Sequence, residues 1–339
     1  MKVKMSNPYR HIQAYPMNGL LQITDYVALL PFLRSLARKT CTDLTLDYTA
    51  GQKETIEQDI KHGAMFMTNH RDICMDAGFL TLLLRAKYNI RPYVGMGNNL
   101  FGKWWIKPLA RFNHAFVVIR DGSPREIMQH SQTMASYLRF LRRKHHSIWL
   151  AQREGRAKDS DDRTQPAVLK MLTLGFDKTV GFLDAMKEMN ICPVSISYEF
   201  DPCDYLKAQE MQLKRDDENW KKSKHDDILS MKTGIIGHKG HVVFRLTPSI
   251  NHWIDANREK LDAMTRNEQI LAVAAQIDRQ IHQNYEIFER GEEFERYLQQ
   301  QVAKINIPQK DDAYLLGKMK EMYNNPVKNY EASNLPGEF

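Results

Sequence analysis

From about residue 44 to residue 200, short β-prone runs alternate with longer helical patterns, and that alternation leaves few architectures open to the chain. The runs fall near Leu44–Tyr48, Ala64–Thr68, Tyr93–Met96, Ala115–Ile119, Ser147–Ala151 and Ile191–Ser197, and another at His241–Leu246 can rejoin the same sheet. Helices are predicted over 72–88, 100–111 and Ser123–Lys144, and again from Pro166, where a proline suits the first turn. The expected fold is α/β: a central, mostly parallel or mixed sheet flanked by helices, with helical N- and C-terminal additions. Residues 1–43 read as an N-terminal helical segment and 44–250 as the α/β domain. Residues 251–325 read as helices packed on that domain, with one long apolar periodicity over Ile254–Gln301, and 326–339, from Pro326 on, as a loose tail.

With 339 residues, 42% of them apolar, the chain has enough to bury a full core. The four cysteines, Cys41, Cys74, Cys192 and Cys203, form no CxxC pair, which argues against a disulfide framework or a zinc site and for a reducing, cytoplasmic compartment. His145–His146 and the run His238 to His241 lack a matching ligand set, so no metal is expected.

No apolar run approaches the roughly 20 residues that cross a bilayer, and MKVKMSNPYRHIQ lacks a signal-peptide core. Two stretches, Tyr26–Arg38 and Phe101–Phe112, mix aromatic, aliphatic and basic residues; each suits either an interfacial helix or ordinary core packing. The net charge of +7 favours anionic partners, and without any recognisable nucleic-acid motif it points to phosphate esters or an acidic lipid surface rather than nucleic acid. The charged stretch from Asp204 to Asp227 reads as a solvated helix or helical hairpin.

Four segments, each at a strand end, carry the candidate chemistry. In the first, a β-prone run ends at Asn69–His70 and a helix follows, which puts an imidazole where ligands gather in α/β sheets. A carboxylate on that helix could hold one ring nitrogen and leave the other free to take a proton; Asp76 and Asp72 both qualify, though Asp72 also suits a helix cap. The second, Phe116–Arg120, ends in an arginine able to fork onto a phosphate. In the third, Arg153–Glu154–Gly155–Arg156, the glycine permits positive φ or a close backbone approach, and a carboxylate buried among arginines is expected to have a purpose, even if only to hold them. The fourth, Ile191–Glu199, has Pro193 near its start, suggesting an edge strand or an entry point.

In this order the segments resemble the four blocks of the lysophospholipid and glycerol-3-phosphate acyltransferase superfamily, over roughly residues 61–200. The resemblance implies a catalytic domain at 44–250 that takes an acyl group from acyl-CoA or acyl-ACP and esterifies a glycerolipid phosphate, lysophosphatidate or glycerol 3-phosphate. It implies peripheral attachment to the cytoplasmic face of a membrane and no permanently bound cofactor. Acyl carrier protein would be a partner if it is the donor. Residue by residue, it implies that His70 is the general base and Asp76 its orienting partner, with Asp72 the alternative. It also implies that Asn69 and Arg71 lie beside the substrate, that Arg120, Arg153, Arg156 and Lys158 hold phosphate, that Glu154 and Gly155 shape that pocket, and that Pro193 belongs to its wall. Two spacings depart from the family pattern. Five residues separate His70 from Asp76 where four are usual, which on a regular helix turns a side chain by about 100°, so either a bulge or tighter turn restores the contact or Asp72 replaces it. Arg156 follows Gly155 directly instead of one position later, so Arg153 or Lys158 could substitute for it.

Overall fold

A computed structural model describes residues 30–98, 110, 114–119 and 122–335. Seven strands, β1 Cys41–Tyr48, β2 Met65–Thr68, β3 Tyr93–Gly97, β4 Ala115–Val118, β5 Ile148–Ala151, β6 Ile191–Tyr198 and β7 Gly240–Leu246, form one sheet in the order β1-β7-β6-β2-β5-β3-β4. All neighbours are parallel except β6 and β7. This is the α/β fold expected, with all of the predicted strands in place.

The central strands β2 and β6 are buried along their whole length because helices cover both faces. Side chains alternate along β2, so Met65 and Met67 join the core under helices Pro124–Arg143, Phe182–Met189 and Arg266–His282. Phe66, between them, faces helices Leu30–Thr40 and Met75–Tyr88. A third, smaller core joins helix Asp204–Asp216 to helices Glu292–Ala303 and Asp312–Asn334 through Ala208, Leu298, Leu315 and Met319.

Several sequence expectations need correction. The periodicity over 254–301 is not one helix: the chain breaks near Asn257, restarts at a Thr265–Glu268 capping box, and leaves helix again after His282. The C-terminal helices are present as expected, and Ile270, Val273, Ile277 and Ile281 of one of them pack into the main core. The described part of the segment from Pro326 is not a loose tail: helix Asp312–Asn334 runs through the proline, and 336–339 lie outside the described residues. Tertiary bonds on either side offset the hydrogen bond that proline removes, with Asn325 donating to the Asp159 carbonyl at 2.8 Å and Gln283 to the Ser333 carbonyl at 2.6 Å. Within the Tyr26–Arg38 stretch the described residues, from Leu30 on, are helical and bury Leu30 and Leu33 while Phe32 stays exposed, so this part packs on the core. The Phe101–Phe112 stretch, Ala110 aside, lies outside the described residues. Among the described residues no helix is long and apolar enough to cross a membrane.

The Asp204–Asp227 stretch does form helices, but it is not simply solvated. Asp204, Lys207 and Glu210 are buried. Asp204 accepts hydrogen bonds from the Tyr297 and Tyr323 hydroxyls, both at 2.9 Å, and burial, reinforced by the charge of Asp201, pushes its carboxyl up to about 7. Between the ordinary carboxylate range and that value the folded chain holds a proton the unfolded chain lacks, so stability falls as pH rises through this window. Asp204→Asn should remove its share of the loss, on the order of 3 kcal/mol between pH 4 and pH 8. Urea denaturation of both proteins across that range checks this, and parallel stability curves for the two would contradict it.

Candidate active site

β2 and β5 are neighbours in register, Thr68 opposite Ala151, and the ladder continues one bond further from Gln152 N–H to the Thr68 carbonyl at 2.9 Å. The first and third segments therefore leave the same end of adjacent strands. Each then turns, and His70 comes to face the Arg153–Arg156 turn across a cleft of about 810 Å³, within the size range of small-molecule sites.

The extra residue between His70 and Asp76 is absorbed before the helix starts. The chain stays irregular through Cys74 and becomes helical at Met75. Asp72 caps this turn, accepting from Cys74 N–H at 2.9 Å and Met75 N–H at 2.7 Å. Asp76 is the acid that reaches the ring: its Oδ2 lies 2.8 Å from His70 Nδ1 and also accepts from the backbone N–H groups of Arg71 at 2.6 Å and Asp72 at 3.0 Å. The buried Tyr198 hydroxyl donates to Oδ1 at 3.0 Å; burial and the Asp76 charge raise its pKa, which keeps that proton in place. Nδ1 is thus the fixed nitrogen. Nε2 makes no hydrogen bond among the described residues, and the ring rests edge-on against Trp149 at 5.6 Å.

Asp72 is a capping residue that lies close against helix Lys224–Ile236, where Gly234 leaves it room. A Cβ on Gly234 would lie 1.8 Å from the Asp72 carboxylate. Burial, with the neighbouring Asp76 charge, also pushes the Asp72 carboxyl up. Gly234→Ala should cost about 1–3 kcal/mol by forcing the cap aside. Chemical denaturation measures this, and wild-type stability would mean the carboxylate can move freely.

Asn69 and Arg71 flank the histidine but point into the protein. Asn69 clamps β2 to β6, donating to the Ile196 carbonyl at 2.9 Å and accepting from Ile196 N–H at 2.8 Å. The Arg71 guanidinium pairs with buried Asp162 at 2.7 Å, and its carbonyl accepts from Lys207 Nζ at 3.1 Å. Both therefore brace the turn that presents His70.

At the third segment Gly155 takes φ +71° in open space, so it is there for its conformation rather than for close approach. Glu154 is exposed, which corrects the expectation of a carboxylate buried among arginines: the turn carries it to the lip. Arg153 Nε and Arg156 Nη1 are buried without hydrogen-bond partners, while Arg156 also feels the charges of Asp72 and Asp201. Lys158 lines the cleft too, but its ammonium is already paired with Glu210. Arg120 lies outside the described residues; Val118 and Ile119, just before it, line the same cleft.

Pro193 is neither on an edge nor in the cleft lining. It sits inside β6, opposite Met67 of β2. Its carbonyl accepts from Thr247 N–H at 3.1 Å, so its ring nitrogen faces the β7 side, where β6–β7 pairing begins only at Val194. The proline removes only the reciprocal bond of this terminal β6–β7 pair, which is how a central strand tolerates it.

Cys74 also faces the cleft, but burial, with Asp72 nearby, holds its thiol well above the ordinary range and so disfavours a thiolate nucleophile. The remaining lining is apolar along one side, through Val94, Met96, Met134, Leu150 and Met171. The described residues contain no group of three or more His, Cys, Asp or Glu side chains able to hold a metal. All four cysteines are free.

No local pattern assigned Tyr198, Asp162, Lys207 or Trp149 a role at this site, although Trp149 and Tyr198 lie on the strands of the third and fourth segments. Each reaches it from a distant segment, and only the register of β2 against β5 and β6 brings them in.

No protein-family model matches the chain, and no curated protein matches it. What the constellation can do therefore follows from its chemistry. It combines an imidazole fixed at one nitrogen and open at the other, two arginines with unused donors, and a long apolar wall, a combination suited to moving a proton beside a substrate with an anionic head and an apolar body.

Proposed function

We propose that the chain is an acyltransferase that moves an acyl group from acyl-CoA or acyl-ACP to a hydroxyl of a glycerolipid phosphate, with lysophosphatidate or glycerol 3-phosphate as acceptor. The observation that carries this reading is His70, its Nδ1 held by Asp76, lining the same cleft as Arg153 and Arg156. The resemblance of the four segments to the superfamily's blocks agrees with it.

In this reaction His70 Nε2 takes the proton of the acceptor hydroxyl as its oxygen attacks the thioester carbonyl. The C–S bond then breaks, and the leaving thiolate recovers the proton from His70. Four backbone donors of the first turn are already committed to Asp72 and Asp76. The Ile73 N–H is engaged by neither carboxylate, and Ile73 lines the cleft, so it is the backbone donor assigned to the oxyanion. Arg153 and Arg156 take the acceptor phosphate, and the apolar wall takes acyl chain. Such an enzyme would work at the cytoplasmic face of a membrane, where its lipid acceptor resides.

Incubation with labelled acyl-CoA or acyl-ACP, with and without a panel of lysophospholipids and glycerol 3-phosphate, followed by lipid mass spectrometry, tests the proposal. A new acyl ester on a phosphate-bearing acceptor supports it. Release of acyl groups to water alone would replace it with a hydrolase, and an inert protein would overturn both.

A further inference from the structure

A second cavity, of about 30 Å³, lies behind the histidine turn, lined by Arg71, Arg290, Asp201 and Glu286 beside apolar groups such as Phe288 and Met322. That volume holds one water or one small ion. Both carboxylates of its lining are engaged by cations other than its two arginines. Asp201 is already paired with Lys207 and accepts Cys203 N–H at 2.8 Å, and Glu286 pairs with Arg245 at 2.7 Å. Arg71 has Asp162. Arg290 has no carboxylate partner among the described residues: its Nη1 donates to the Tyr323 carbonyl at 2.6 Å, and its guanidinium stacks on the rings of Phe294 and Tyr323 at 5.0 and 4.9 Å.

Two donors at this cavity are unused. Arg290 Nε and Arg71 Nη1 are both buried without a hydrogen-bond partner. Burial lowers the pKa of the Arg290 guanidinium, as expected of a desolvated cation with no countercharge. Leaving such a cation unpaired is costly, and an anion between two guanidinium groups removes that cost.

We propose that this cavity is a binding site for a single small monovalent anion of the halide class, held between Arg71 and Arg290. The cavity is too small for a phosphate ester, which leaves a small monovalent ion as the occupant two guanidinium donors can hold. The site is separate from the cleft and does not depend on the reaction assigned to it. Bound there, the anion braces the Arg71 side chain, whose backbone N–H donates to Asp76 at 2.6 Å.

The test uses the full chain. Thermal unfolding is followed in sodium gluconate exchanged stepwise for sodium bromide at constant ionic strength, in wild type and in Arg290→Gln. Wild type should show a saturating rise in Tm of about 2 °C, and the variant should lose the saturating component. A crystal soaked in bromide should show an anomalous peak between the two guanidinium groups, a readout that holds even if the variant folds poorly. A strictly linear bromide response in wild type, an identical saturating response in the variant, or a cavity containing only water would each overturn the proposal.

Discussion

His70→Ala should abolish acyl transfer, lowering the rate by about 10² to 10⁴, while leaving the fold intact. The ring is near the surface of the cleft, and its loss removes one bond from Asp76, which keeps its three others, from the Arg71 and Asp72 backbone and the Tyr198 hydroxyl. A general-base role and a structural role therefore separate cleanly. Steady-state assay alongside circular dichroism and thermal unfolding reads both; a variant that folds and turns over like wild type removes His70 from the reaction.

Asp162→Ala should have the largest effect on stability, about 3–5 kcal/mol, because it strands a buried cation. One oxygen of this fully buried carboxylate accepts from Asn69 at 3.2 Å, Arg71 at 2.7 Å and the Tyr285 hydroxyl at 2.5 Å, and its backbone carbonyl meets His282 at 2.6 Å. Two segments far apart in sequence, 69–71 and 282–285, converge on that one residue. Removing it leaves Arg71 without a countercharge beneath the turn that presents His70, so activity should fall together with stability. Urea denaturation gives the number, and a cost near 1 kcal/mol or less would show that solvent or another group takes over the Arg71 guanidinium.

The sheet was legible in the sequence because strands buried on both faces, such as Met65–Thr68 and Ile191–Tyr198, are dense apolar runs bounded by polar turns. Helix ends were less so. The Thr265–Glu268 capping box is written on the chain, yet the apolar periodicity running across it reads as one long helix. Pro326 misleads for the opposite reason, since the bonds that let a helix continue through it come from residues far away. At the site, the imidazole and its acid could be named, but the choice between Asp72 and Asp76 could not be made, because it turns on where the helix begins. Lys207 was read as one charge in a solvated stretch; its burial against the Arg71 carbonyl is set by a contact 136 residues away, to which nothing local corresponds.

The position of β2 at the middle of the sheet has a consequence for a chain emerging from the ribosome. Its neighbours β5 and β6 are synthesised well after it, and the Tyr198 hydroxyl that reaches Asp76 follows that residue by 122 positions. During translation the imidazole and its acid must wait, unsupported, for most of the sheet to be made. Nascent fragments ending before Tyr198 should therefore be inert, so the activity would be born late and all at once rather than maturing as the polypeptide lengthens.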